Sequence, residues 1–266
     1  MTGVQTCALP ISDNGASSTY HGLLAKAERR FDKGFAVLFS YTWSHVISDA
    51  ASSSNFDNTP SNPQCRCDFR AEKGSAAFDI RQRGVLSYSY ELPFGKGHRF
   101  LSNGTVANKI AGGWQVNGIS AFQTGPPFTL GTPGDTANIG SSNQRPNLVG
   151  DPKAGIDSGA SIQQRGVNAG SYYFNRAAYA LPPQFTLGNT GKNTLIGPGS
   201  QNWDFSIFKN TSITERLNSQ LRAEFFNVMN HPNFGIPGRT LNQPTFGVIT
   251  GASSARIVQL GLKLIF

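Results

Sequence analysis

The stretch Ala255-Arg-Ile-Val-Gln-Leu-Gly-Leu-Lys-Leu-Ile-Phe266 decides how this chain is read. Val258, Leu260, Leu262, Leu264 and Phe266 alternate with Ile257, Gln259, Gly261, Lys263 and Ile265. Successive side chains of a strand point to opposite faces, so a period of two predicts a strand with one aliphatic stripe that ends on an aromatic C-terminal residue. Such a stripe suits contact with hydrocarbon, although an edge strand of a soluble sandwich would alternate in the same way.

Six further segments repeat the design. Phe35, Val37, Phe39, Tyr41 and Trp43 oppose Ser40, Thr42 and Ser44, and Leu86, Tyr88, Tyr90 and Leu92 oppose Arg83, Ser87, Ser89 and Glu91. Trp114, Val116 and Phe122 oppose Gln115, Asn117 and Gln123; Trp203, Phe205 and Ile207 oppose Asp204 and Ser206; Leu221, Ala223 and Phe225 oppose Gln220, Arg222 and Glu224. More weakly, Leu23, Ala25 and Ala27 oppose Lys26, Glu28 and Arg30. This predicts about seven strands of roughly 9–12 residues, the length that crosses a bilayer at the usual tilt.

The connections give an independent test, because outer-membrane barrels place short turns on the periplasmic side and long loops outside. With the last strand running down to the periplasm, 228–254, 124–201 and 46–82 are long outer loops. The inner connections are 212–218, a middling 93–112, and a tight turn on Asp32-Lys33-Gly34. A soluble sandwich has no reason to sort loop lengths by parity. The expected fold is therefore all-β, an antiparallel transmembrane β-barrel present in part: about seven C-terminal strands of a larger barrel, forming an open sheet.

Composition agrees. No run approaches the roughly 18 apolar residues that mark a membrane helix. Thirty Gly and 15 Pro, with Asn, Ser and Thr gathered in 48–64, 131–170 and 186–200, suit long irregular loops. Residues 1–12, Met-Thr-Gly-Val-Gln-Thr-Cys-Ala-Leu-Pro-Ile-Ser, resemble a translated sequencing adapter and lack the features of a secretory signal, so native residues are expected to start at about Asp13 and the true N-terminus to lie upstream of it.

Several motifs carry a family resemblance: Ser18-Thr-Tyr-His-Gly-Leu-Leu with Glu28-Arg-Arg-Phe31, Ser40-Tyr-Thr-Trp-Ser44, Tyr90-Glu-Leu-Pro-Phe-Gly-Lys-Gly97, Gly112-Gly-Trp-Gln-Val-Asn-Gly118 and Gln123-Thr-Gly-Pro-Pro-Phe128. Asn202-Trp-Asp-Phe-Ser-Ile-Phe-Lys209, Arg222-Ala-Glu-Phe-Phe-Asn227 and Asn230-His-Pro-Asn-Phe234 continue the series. In this order the chain resembles the C-terminal barrel end of a TonB-dependent outer-membrane receptor, most of all the Oar-like group. The resemblance implies active uptake of a scarce ligand, such as a siderophore, cobalamin or a glycan. It also implies a plug and TonB box upstream, through which the TonB complex would act, and recognition of the terminal Phe266 by the outer-membrane assembly machinery. A secreted or surface β-sandwich adhesin is the alternative, discriminated by whether the strands form two stacked sheets or one.

Candidate chemistry is thin. Cys65-Arg-Cys67 admits a loop disulfide, free thiols or a soft-metal pair; a metal site needs further ligands, and His45 is the nearest His. His231 in Asn-His-Pro-Asn reads as a turn, and His21, His45 and His98 as solvated polar groups at strand ends or in a turn. Gly95-Lys-Gly97 lacks the frame of a phosphate loop. No catalytic residue, cofactor or metal site is expected, and no enzyme.

The formal net charge of +8 is dispersed rather than clustered, which argues against nucleic acid; membrane lipid and lipopolysaccharide are the expected neighbours. Basic lumen residues are expected to pair with lumen carboxylates such as Glu224. Leu86, Tyr88, Trp114, Val116, Trp203, Phe205, Leu221, Phe225, Leu260 and Leu262 are expected on the convex, lipid-facing side. Lys26, Glu28, Glu91, Asn117, Asp204, Arg222, Glu224 and Lys263 are expected on the concave, lumen side, because a basic group near the midplane of the lipid face costs about 2–4 kcal/mol.

Overall fold

The computed structural model describes residues 16–50, 63–64, 69–94, 110–140, 143–157, 159–168, 170–214 and 217–266. Seven strands are long: β1 (Ser18–Asp32), β2 (Phe35–Ser48), β4 (Gln82–Glu91), β5 (Trp114–Gln123), β10 (Ser200–Ser212), β11 (Asn218–Phe226) and β12 (Ile257–Ile265). Five two-residue strands lie in the long connections: β3 (Gly74–Ser75), β6 (Pro127–Phe128), β7 (Asn147–Leu148), β8 (Tyr179–Ala180) and β9 (Leu195–Ile196).

The long strands pair in chain order as one antiparallel meander, β1-β2-β4-β5-β10-β11-β12, with β3 beside β2. They form one sheet, so the stacked sandwich of the adhesin alternative is not the architecture of this chain. No ladder joins β1 to β12 among the described residues, and the sheet is open. No described helix is long and apolar enough to cross a membrane.

β1 and β2, with 15 and 14 residues, exceed the predicted length, as does β10 with 13. Their ends are held by pairing the side-chain pattern does not reveal. Thr19, Ile47 and Ser48, outside the alternating segments, are ladder partners, and Ile47 and Ser48 also pair with β3. The β1–β2 turn follows the sequence closely: Lys33 and Gly34 both have positive φ, 51° and 82°, between the paired Asp32 and Phe35. Positive φ at both central residues is the primed geometry that matches strand twist, and Gly34 adopts it without a Cβ penalty.

The connections 124–199 and 227–256 are not merely irregular. Together they enclose the main apolar core of the described residues: Phe128, Leu130, Phe174, Ala178, Tyr179, Leu241 and Phe246 are all buried. Phe174 meets Tyr179 and Phe246 edge to face, at centroid distances of 5.7 and 5.0 Å. Backbone bonds knit the two connections, with Gly131 N–H donating to Arg239, Leu241 to Gly131, Tyr173 to Gly247 and Ile249 to Gly166. The long sheet has no comparable core: Leu260 and Leu262 are 75% and 68% exposed, and Leu23, Leu221 and Val258 are exposed too.

Candidate functional site

Residues directly opposite in an antiparallel ladder share a face, so the register sorts every side chain of the sheet. One row runs Val37–Tyr88–Gly118–Phe205–Phe225–Val258, and the next runs Phe35–Tyr90–Val116–Ile207–Ala223–Leu260. Leu86 and Trp203 flank Ser120 in a third row, and Trp114, Lys209, Leu221 and Leu262 form a fourth. All ten residues expected to face lipid lie on this face.

The other face carries Lys26, Glu28, Glu91, Asn117, Asp204, Arg222, Glu224 and Lys263. Their rows include Glu28–Leu38–Ser87–Ile119–Asp204 and Ser89–Asn117–Ser206–Glu224–Gln259. Neither face is pure. Leu38, Ile119, Phe208 and Phe226 stand on the polar face, and Lys209 on the apolar one. Lys209 sits toward the end of β10 that leads into the short connection to β11, where its ammonium lies 5.5 Å from the Trp114 ring centroid and donates to the Gly112 carbonyl. That is how a lysine lays its stem on an apolar surface and keeps its head among polar groups.

The centre of the polar face is tied by hydrogen bonds, and the ion pairs of this face among the described residues are confined to β1. Gln115 Nε2 donates to Ser89 Oγ and to Asn117 Oδ1, both at 2.9 Å. Asp204 Oδ1 accepts from Asn202 Nδ2 at 2.8 Å and from the Asn227 N–H at 2.9 Å, which fixes the exit of β11 where Asn227 turns at φ 52°. Arg222 donates to Gln220 Oε1 at 2.6 Å and lies 4.8 Å over the ring of Phe208, directly opposite it in the ladder. The expected pairing of basic residues with carboxylates of this face holds on β1, where Lys26 and Arg30 both meet Glu28, but no ion pair among the described residues reaches Glu224. A shallow cavity of about 300 Å³ opens between Ser89, Asn117, Asp204, Ser206 and Glu224. Asn117 Nδ2 is buried there with no partner.

Above the sheet, a buried clasp joins two connections. Arg145 donates to Glu72 Oε1 at 3.0 Å and Oε2 at 3.2 Å, to the Ala71 carbonyl at 3.1 Å and to Gln64 Oε1 at 3.1 Å. The side chains of Arg145 and Glu72 are 4% and 7% exposed. Gln64 completes the closure, its N–H donating to Glu72 Oε1 and its Nε2 to the Gly188 carbonyl. Burial pushes the Tyr179 phenol up to about 12 and also raises that of Tyr173. The Asp135 carboxyl is held below its usual range, first by the Ile139 N–H and then by those of Gly140 and Asn138 and the Gln144 amide.

The histidine reading needs one correction. His45 is not a solvated strand-end residue: its Nδ1 lies 2.9 Å from Oδ2 of Asp79, which is 1% exposed and also binds Arg81 Nε at 3.0 Å. Asp79 Oδ1 accepts the Val46 N–H as well, so a carboxylate 33 residues away caps the edge of β2. No local pattern announces that contact. His231 follows the turn at 227–229 and is tied back to it, its N–H donating to Asn227 Oδ1 and its carbonyl accepting from Asn227 Nδ2. Residues 1–12, Cys65, Cys67, Gly95-Lys-Gly97 and His98 lie outside the described residues. No group of three or more potential metal-ligating side chains occurs among those described.

Comparison with known proteins agrees with this architecture. A family model described as an outer membrane beta barrel domain matches residues 5–259, nearly the whole chain. No curated protein matches it.

Proposed function

The chain belongs to the outer-membrane β-barrel domain family and resides in the outer membrane; from that premise we propose that it forms the C-terminal part of the barrel of a TonB-dependent receptor of the Oar-like type, an importer of a scarce ligand. The supporting observation is the open meander of seven long strands, whose flanking strands β1 and β12 each leave one edge without a ladder partner among the described residues. Unpaired backbone groups in hydrocarbon cost several kcal/mol each, so such a sheet needs further strands to close it. The apolar face then meets lipid, and the face with Lys26, Glu28, Glu91, Asn117, Asp204, Arg222, Glu224 and Lys263 lines the lumen. A plug would rest against that face, over the cavity where Asn117 Nδ2 has no partner. The TonB complex would act through the plug, and the assembly machinery would read Phe266.

The test is the gene itself. Sequencing upstream of residue 13 should reveal a plug and a TonB box. Deleting the full gene should abolish a TonB-requiring uptake detectable on iron-limited, cobalamin-limited or glycan-only medium. An upstream sequence without a plug, or uptake unchanged in all three media, would overturn the transport reading.

A further inference from the structure

Four glycines lie inside long strands: Gly22, Gly84, Gly118 and Gly261. A tyrosine ring covers two of them, Tyr20 over Gly22 and Tyr88 over Gly118, and Arg222 Cβ stands at contact distance from Gly261. At Gly84 a Cβ would meet nothing within 4 Å, and φ is not positive. The backbone therefore does not demand a glycine there. A strand glycine weakens its strand, and often marks a place where a ligand comes close.

The ladder shows what the missing side chain opens. Gly84 lies directly between Tyr41 on β2 and Phe122 on β5, and Phe122 is opposite Gln201 on β10. The two aromatic positions stand two strand spacings apart, about 9–10 Å. Phe122 is braced edge-on by Trp203, at a centroid distance of 5.1 Å and an interplanar angle of 87°. The notch continues into an open cavity of about 460 Å³, which Gln82, Ile162 and His231 also line. That volume lies in the range of small-molecule sites.

The lining names a chemistry. No Asp, Glu, Lys or Arg contributes, so a phosphate or carboxylate finds no counter-charge. Two aromatic walls beside the amides of Gln82 and Gln201 suit a sugar ring, whose C–H face packs on an aromatic ring while its hydroxyls bond to amides. His231 also lines the cavity, and its Nδ1 has no hydrogen-bond partner among the described residues. We propose that this notch is a binding slot for a neutral sugar of an outer-leaflet glycolipid, lipopolysaccharide. The occupant follows from position: the slot lies on the same face as Leu86, Phe205 and Leu260, at the end of the strands where the long connections begin. A ligand there approaches from the membrane. This inference rests on assigning that face to lipid.

The full-length protein would be purified from outer membranes, exchanged stringently into detergent and examined by native mass spectrometry for retained lipopolysaccharide. Heat-modifiable migration and outer-membrane fractionation would be checked in parallel. Gly84→Leu fills the notch with a side chain suited to an apolar face, and Gln201→Ala removes one of the two amides. The expected result is one tightly retained glycolipid per protein, reduced at least tenfold by Gly84→Leu and measurably by Gln201→Ala, with migration unchanged. Retention in both variants equal to that of the parent, or none in the parent protein, overturns the slot. Competition by a soluble neutral oligosaccharide, maltoheptaose, without retained lipopolysaccharide overturns the glycolipid as occupant. Absence of the folded parent protein from the outer membrane would instead overturn the reading of the face.

Discussion

Removing the Glu72 carboxylate should loosen the loop cap far more than removing the whole ion pair. In Glu72→Ala the Arg145 guanidinium stays buried, keeping only the Ala71 carbonyl and Gln64 Oε1 as acceptors. Breaking a buried pair in this way costs about 3–5 kcal/mol. At 1.4 kcal/mol per tenfold, local opening should rise by roughly two to three and a half powers of ten. Replacing both residues, as Glu72→Met with Arg145→Met, leaves no orphan charge. It leaves the Gln64 N–H without its acceptor, a loss of about 1–3 kcal/mol. Hydrogen exchange measured by mass spectrometry on the assembled protein, over peptides covering 69–73 and 143–149, would read each opening directly. Exchange in Glu72→Ala as slow as in the parent, or a double variant looser than the single one, would refute the reasoning.

Leu260→Lys should lower the membrane-inserted fraction by the equivalent of about 2–4 kcal/mol, whereas Gln259→Lys, one residue away on the other face, should be tolerated; equal insertion of the two would refute the facing. Deleting Phe266, which is 98% exposed at the chain end, should reduce folded protein at the cell surface when made in the full-length gene; unchanged surface labelling and abundance would remove its assembly role. The Tyr179 phenol, raised by burial to about 12 from a reference of 10.0, stabilises the cap fully below pH 10. That contribution is lost as pH climbs from 10 through 12, because the unfolded phenol ionises first. An ultraviolet titration of Tyr179→Phe should lack the highest phenol transition, and an unchanged curve would place that transition elsewhere.

The sheet was legible because its instruction is local. Each residue of β12 or β5 states its face by its neighbours two positions away, and Lys33-Gly34 states its turn by backbone preference alone. Exceptions arise where a cross-strand partner rewrites the local rule. Phe208 reads as misplaced until Arg222 is seen stacked on it, and Lys209 until Trp114 appears opposite. Asp79 with His45, and Glu72 with Arg145, join residues 34 and 73 positions apart, with no periodicity to connect them. The open space at Gly84 was equally hidden, since sequence shows a glycine but not what fails to cover it.

In the proposed orientation the interlocked cap faces the outside of the cell, which bears on how that surface can diverge. Outer loops of barrels commonly drift one at a time under pressure from antibodies and phage. Here Phe174 from one connection and Phe246 from the next share a single core, and Arg145 binds Glu72 from the connection before. A change in any one is felt by its neighbours. Insertions would be absorbed at exposed turns such as 153–155, away from the shared packing. An antibody raised against the cap would therefore recognise a surface assembled from several segments, and a peptide copied from any one of them would be a poor substitute as immunogen.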